Sequence, residues 1–171
     1  MVPDKLINFR CYDEGDTMIG ITDVTLPNLA YVTEEIAGAG IAGPIDSPTI
    51  GHFQSLTITI NWRSLISENI IFAAPKTYQF AFMGSVQVYN YDTGSYISKA
   101  VKVVVKCVPK AFGAGTLNPA SQMGTNGEFE LIYVKISIED KEYIEIDKLA
   151  FICRIDGVDY LSKVRQDMGM A

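Results

Sequence analysis

Histidine is almost missing from this chain. Its 171 residues hold a single one, His52, whereas acid–base and triad chemistry near neutral pH most often relies on an imidazole. His52 opens a strand-like segment, Gly51-His52-Phe53, and no motif sets a Ser or Cys beside it. It reads as a strand-edge or interface residue. Cysteine is scarce too: Cys11, Cys107 and Cys153 are odd in number and form no C-x-x-C pair. With one histidine to help them they give no metal-ligand spacing; Cys107 sits in an apolar strand pattern and Cys153 follows Phe151-Ile152, and buried free thiols are the expected reading.

Long hydrophobic runs are missing as well. No stretch reaches the roughly 18 apolar residues of a membrane-spanning helix, and Met1-Val2-Pro3-Asp4-Lys5 lacks the basic and then apolar regions of a signal peptide. The expectation is a chain made and kept in the cytoplasm until a later step, with no membrane insertion of its own. Clusters of positive charge are a third absence. Fourteen Lys and Arg stand against twenty Asp and Glu, for a net charge of −6, and the basic residues are scattered. Tight binding to a phosphate backbone needs a basic stripe. Its lack argues against a tight nucleic-acid binder, while a surface past which nucleic acid slides stays open.

The remaining candidates for chemistry are weak. The carboxylates Glu34-Glu35, Glu139-Asp140 and Glu142 with Glu145 and Asp147 lie mostly beside turns, where solvated charge is ordinary, so an acid–base pair is not the expected reading. The aromatic set Tyr78, Phe80, Phe82, Tyr89, Tyr91 and Tyr96 has no interleaved Lys or Arg, which favours a core or interface role over base stacking. No enzyme is expected, and no catalytic, cofactor-binding or metal residues are assigned.

What is present is alternation. Hydrophobic residues make up 48% and charged residues 20% of the chain, the balance of a globular protein long enough for one domain over residues 1–171. Period-2 patterns predict strands over Leu6–Tyr12, Met18–Leu26 and Ala30–Ile36. Gln54–Trp62 alternates cleanly, with Leu56, Ile58, Ile60 and Trp62 on one face and Ser55, Thr57, Thr59 and Asn61 on the other. Ser67 to Pro75 reads as a short helix with Ser67 as its cap. Tyr78–Tyr91 and Tyr96–Val108 form a long hairpin around Asp92-Thr93-Gly94-Ser95. Each strand is far longer than the usual ~5–6 residues. Phe129–Asp140, Tyr143–Asp147 and Phe151–Ile155 complete the strands, and Tyr160–Met168 is the expected closing helix.

Gly38-Ala39-Gly40-Ile41-Ala42-Gly43 spells the dinucleotide pattern G-x-G-x-x-G. The pattern means something only between a buried strand and a helix whose N-terminus meets the pyrophosphate. Here Thr33-Glu34-Glu35-Ile36-Ala37 precedes it, Pro44-Ile45-Asp46-Ser47-Pro48 follows it, and the acidic residue expected about 20 positions on is replaced by Asn61-Trp62-Arg63. What remains is a long apolar loop. Between Ile36 and Trp62 the only formal charge is Asp46, and Ala111–Gly127 is a second uncharged loop. Such loops need shelter, and long strands leave edges that must be covered. Neighbouring copies of the same chain, closing a barrel between subunits, are the simplest cover.

Several stretches carry a resemblance. Asp23-Val24-Thr25-Leu26-Pro27-Asn28-Leu29, Thr33-Glu34 and Gly38 to Asp46, then Tyr143-Ile144-Glu145-Ile146-Asp147, Arg154 to Leu161 and Arg165-Gln166-Asp167-Met168-Gly169, resemble the major tail tube proteins of contractile-tailed phages and R-type bacteriocins. That family is similar in fold to the tube protein of type VI secretion systems. The resemblance implies a mainly β fold, a two-sheet sandwich or barrel with one short internal and one C-terminal helix. It implies six copies in a ring whose inner sheets join into a continuous β-barrel, and rings stacked into a tube that conducts DNA or ions.

The implied partners are further copies of this chain, a sheath protein, a baseplate tube initiator and a tail terminator, with DNA only as passing cargo. The implied location is the bacterial host cytoplasm during assembly, then the virion tail or a released bacteriocin. Gly38, Gly40, Ile41, Gly43, Ile45 and Asp46 become the expected inter-subunit loop, with Ile41 and Ile45 as apolar anchors. Ser55, Thr57, Thr59 and Asn61 are the candidate lumen-facing set, and the long hairpin contributes to the lumen wall. Two other readings stay open: a small β-barrel ligand- or nucleotide-binding protein built on Gly38–Gly43, and a ring protein of a secretion system.

Overall fold

The computed structural model describes residues 1–18 and 20–170. Twelve strands and two short helices follow in order. The strands are β1 (Val2–Asp13), β2 (Asp16–Met18), β3 (Ile21–Thr25), β4 (Tyr31–Ile36), β5 (Ile45–Phe53), β6 (Thr57–Trp62), β7 (Tyr78–Asn90), β8 (Ser95–Gly113), β9 (Thr125–Ile138), β10 (Lys141–Asp147), β11 (Ile152–Ile155) and β12 (Val158–Asp159). Helix α1 (Ser67–Ile70) runs into a single 3-10 turn, and α2 (Ser162–Asp167) lies near the C-terminus. The fold is mainly β, as expected.

Ten strands form one sheet in the order β12-β11-β10-β9-β8-β7-β1-β2, and β3 and β6 branch from it. The branch point is β9. Its first half, Thr125–Glu130, pairs with β6, and its second half, Tyr133–Ile138, pairs with β10. A register shift opposite Lys106 and Cys107 separates the two halves, the local bend that a β-bulge produces. The sheet thereby folds over itself, and the β3–β6 arm of the branch covers the middle of β7 and β8. It does not close into a barrel within one chain.

Alternation decides which side faces in. On β6, Ile58, Ile60 and Trp62 are buried. Against them stand Phe80 and Phe82 of β7, Val103, Val105 and Cys107 of β8, and Phe129, Leu131 and Val134 of β9. Aromatic rings fill the middle of this core: Phe80 meets Phe72 and Phe129 edge-on at 5.4 and 5.3 Å, a favoured geometry for ring pairs. The Tyr78 hydroxyl donates to the Ile71 carbonyl at 2.7 Å. Ile66, not Ser67, is the N-cap of α1; buried Asn69 in the first turn reaches back to accept from the Ile66 N–H and donates to the Ser64 carbonyl.

Four expectations shift. The expected loop at Ala111–Gly127 shrinks to residues 114–124, because Ala111–Gly113 and Asn126–Glu128 pair with each other. The first strand starts at Val2 rather than Leu6. The closing helix covers only Ser162–Asp167, since the Leu161 backbone is already non-helical. The long segment through Gly38–Gly43 is not an open loop: it is the tip of a hairpin made by β4 and β5, a two-stranded sheet of its own.

Candidate assembly surfaces

The β4–β5 hairpin stands off the main sheet as an arm. Every β4 residue is exposed, and only Ser47, Gly51 and Phe53 of β5 are half-buried. Ile36, Ile45 and Ile50 are 48%, 54% and 65% exposed. An isolated two-stranded ribbon is marginal in water, and contiguous exposed apolar side chains mark contact surfaces. Ile36 lies directly opposite Ile45, Glu34 opposite Ser47, and Glu35 opposite Asp46. Strand alternation therefore puts the isoleucine pair and Glu34 on one face, and Glu35 with Asp46 on the other.

At the tip the Ile41 N–H donates to the Gly38 carbonyl at 3.2 Å. Gly40 has φ +90°, and a Cβ there would meet nothing within 4 Å. The glycines of the tip thus serve a turn in open solvent, with no helix after them to receive a pyrophosphate. Ile41, Gly43, Ile45 and Asp46 are all exposed there.

The arm is well fixed at its base. The Tyr31 and Phe53 rings meet across it, tilted by 30°, with centroids 4.7 Å apart, and the Gln54 N–H donates to the Ala30 carbonyl at 2.8 Å. Gly51 has φ +66°, and a Cβ there would collide with the Leu161 side chain. The glycine lets buried Leu161, just before α2, lie against the arm. Arg165 of α2 donates to the Phe151 carbonyl at 2.7 Å and to Asp159 at 2.6 Å, which ties that helix to β11 and β12.

The candidate lumen set lies on β6 and the residues before it. Thr57, Thr59 and Asn61 are half-buried, alternating with the core residues. Asn61 donates to Asp23 of β3 at 2.6 Å. The Ser55 hydroxyl donates to Glu130 at 2.6 Å, and Lys148 reaches both the Gln54 carbonyl and Glu130. Burial alone would raise the Glu130 carboxyl. The Ser55 hydroxyl, Lys148 and the Leu56 N–H outweigh it and hold it below the usual carboxylate value. The side chains of Ser55 and Asn61 are thus tied within the chain. The long hairpin, the other expected contributor to the lumen wall, carries a second and longer face on β7 and β8: Gln79, Ser98, Lys102 and Lys106, with Met83 and Ala100 among them, are exposed on the side away from the core.

The weak chemical candidates are drawn into structure. Glu139 accepts from the Ala100 N–H, Glu142 pairs with Lys135, and Glu145 pairs with Arg154 while accepting from the Tyr133 hydroxyl. Asp147 caps the turn at Leu149 and Ala150. His52 is exposed on β5. The three thiols are buried and free; burial raises all of them, Cys107 to about 12. Of the aromatic set, Tyr78, Phe80 and Phe82 belong to the core, while Tyr89, Tyr91 and Tyr96 cluster edge-on at the tip of the long hairpin. Among the described residues no three His, Cys, Asp or Glu side chains converge as metal ligands, and no helix is long and apolar enough to cross a membrane.

One further surface has no counterpart in the sequence reading. An apolar groove of about 110 Å³ opens where β1, β7 and β8 extend past the cover of β3, lined by Leu6, Phe9, Val24, Leu26, Gly84 and Val101 among others.

Comparison with known proteins converges on one kind of relative. The model of the family described as phage tail tube protein FII matches residues 3–169. The tail tube protein of Escherichia phage P2 is 26% identical, with 99% of each chain covered. The major tail tube protein of Serratia phage KSP20 is 23% identical over 99% of this chain and 98% of its own. A chain in a sheath/tube terminator structure of an extracellular contractile injection system shares the fold at a TM-score of 0.53 and 15% identity, over 81% of this chain and 97% of that one.

Proposed function

The chain belongs to the phage tail tube protein FII family, and from that membership we propose that it is the structural subunit of the inner tube of a contractile tail, of a phage or of an R-type bacteriocin. It forms one tube domain over its whole length and catalyses no reaction. Six copies make a ring, the sheets of neighbouring copies continue one another into a shared β-barrel, and rings stack into a tube. The lumen conducts DNA in a phage, or ions after puncture by a bacteriocin. A sheath surrounds the tube, with an initiator in the baseplate at one end and a terminator at the other. Assembly takes place in the bacterial host cytoplasm.

The observation that carries this reading is the β4–β5 arm, which holds its isoleucines out in solvent from a firmly fixed base. An arm of one copy that meets a different surface of the next makes a heterologous contact, and such contacts build rings and filaments. Gly38, Gly40, Ile41, Gly43, Ile45 and Asp46 form its contact end, reaching a neighbour in the next ring. The free edge of β1 supports the same reading. Between Val2 and Arg10 it pairs with β7 on one side, and β2 joins the other side only from Cys11. An open edge of that length invites another strand.

Two polar walls are available to the lumen: the β6 set of Ser55, Thr57, Thr59 and Asn61, and the outward face of the long hairpin. The hairpin wall is the longer, since β8 alone has 19 residues and spans roughly 60 Å at ~3.3 Å per residue. We place the outward face of the hairpin on the lumen; the β6 set, on the opposite side of the folded sheet, then points away from it. Negative-stain microscopy of the polymerised chain and of the native particle tests the proposal. Straight hollow tubes of stacked rings are expected. A monomer at every concentration, with no polymer in the native particle, would sink it.

A further inference from the structure

We infer that the arm of one copy seats its Ile36–Ile45 face in the apolar groove between β1, β3 and β7 of a neighbouring copy, with Glu34 paired to Lys99 of that neighbour. The inference rests on the tube reading, because it needs copies in contact, and it names the surface that receives the arm.

The groove arises from the registers of the three long strands. Phe9, Gly84 and Val101 lie in one cross-strand row, and Leu6, Val86 and Lys99 in the next row on the same face. Gly84 puts no side chain in the middle of the first row, and the Leu6 side chain leans over it, 3.0 Å from where a Cβ would lie, so the floor of the groove there is Leu6 between Phe9 and Val101. Val24 and Leu26, at the end of β3 and just after it, form the far wall. Leu6 and Leu26 remain 51% and 46% exposed, so the cover supplied by β3 stops short and the core face of the ribbon runs on uncovered.

The occupant is chosen by matching shape and charge. The groove is apolar along its floor and bears a lysine one row further out. The arm is apolar at Ile36 and Ile45 and bears a carboxylate, Glu34, two pairs further back on the same face. Val101 to Lys99 and Ile36 to Glu34 are each a two-residue step, roughly 7 Å along a strand, and each step stays on one face. A strand pair laid with its isoleucines over Gly84 therefore brings Glu34 to the level of Lys99.

Neither charge has an ion-pair partner among the described residues of its own chain. The ion pairs among the described residues involve Asp4, Glu128, Glu142, Asp156, Glu130, Glu145, Asp167 and Asp159 and their cations, and neither Glu34 nor Lys99 is among them. Opposite charge over an apolar contact fixes register more than it adds affinity, which suits a repeating polymer.

Cross-linking tests the contact. All three native thiols are buried, so a Leu26→Cys, Ile45→Cys variant that polymerises under reductant should give a ladder of disulfide-linked multimers on mild oxidation. An equal mixture of the two single variants should stop at dimers. A charge series provides the second measurement. Lys99→Glu and Glu34→Lys should each raise the concentration needed for polymerisation about three- to fivefold, and the double variant, which carries both reversed charges in every copy, should return toward the native value. Native tubes without the ladder, or a double variant worse than either single one, would overturn the groove assignment and leave the tube reading standing. A native chain that never polymerises would end both.

Discussion

Glu35 on β4 lies directly opposite Asp46 on β5. The two carboxylates share the arm face away from Ile36 and Ile45, and neither belongs to an ion pair among the described residues. Like charges placed opposite each other weaken a strand pair, here in a ribbon that already lacks a third strand. Replacing Asp46 by Lys converts the repulsion into a cross-strand attraction worth about 0.2–1 kcal/mol. Hydrogen exchange of the unpolymerised chain should show slower exchange across β4 and β5 in Asp46→Lys, with the rest of the protein unchanged. Equal exchange in the two proteins would mean that the pair does not set the stability of the arm.

Gly40 separates folding from assembly. Its φ of +90° disfavours any L side chain, yet the space around it is empty. Gly40→Val should strain the turn by about 1–3 kcal/mol, confined to the tip of the arm. The thermal midpoint of the unpolymerised protein should hardly move, because the core residues of β6 to β9 lie elsewhere. Sedimentation should show a marked loss of polymer. A variant that fails to fold would place the tip in the folding core instead.

The thiols offer a probe of the core. Cys11 on β1 and Cys107 on β8 sit on either side of β7 within the hydrophobic cluster, and burial drives both thiols well above their ordinary value. A maleimide at pH 7.5 should leave the native chain unlabelled and should label three cysteines after denaturation, as read by mass spectrometry. Fast labelling of the native chain at Cys107 would show that β8 opens from the sheet.

Much of this was legible in the sequence, and the unread parts share a cause. The alternation of Ile58, Ile60 and Trp62 marks a half-buried strand by itself. The β7–β8 hairpin is equally plain, because Tyr78 pairs with Cys107 and the ladder runs without interruption to Asn90 and Ser95. β5 was missed because Pro48 and Gly51 break its pattern. Proline and glycine are tolerated there because β5 has one partner strand only, so its other edge needs no donors. The extension of β8 to Gly113 depends on Gly127 and its neighbours some fourteen residues further on, across a register shift at Pro109. Pairing of that kind is set by tertiary contact. The groove was hidden for the same reason: Gly84 reads as an ordinary strand glycine until its row shows Phe9 on one side and Val101 on the other.

The anchorage of α2 should depend on pH. The Arg165 hydrogen bond is the largest influence on Asp159; burial opposes it, and the Leu161 N–H adds to it, so the carboxyl is held below its ordinary value of 3.8. A carboxyl depressed in the folded state contributes stability that is present above the ordinary value and is lost as pH falls through the folded one. Glu130 acts in the same sense through Ser55 and Lys148. Asp13 acts against them, since burial and the neighbouring Glu14 raise its carboxyl, and protonation there relieves the folded state. Arg165→Met removes the pair while keeping much of the apolar stem. At pH 7 it should cost about 1–2 kcal/mol, the charged hydrogen bond being partly screened by solvent. Melting curves from about pH 7 to about pH 3 should show the gap between native and variant narrowing below about pH 4. The gap should not vanish, because the Arg165 bond to the Phe151 carbonyl does not titrate. A gap that stays constant to pH 3 would show that Asp159 contributes nothing through its charge.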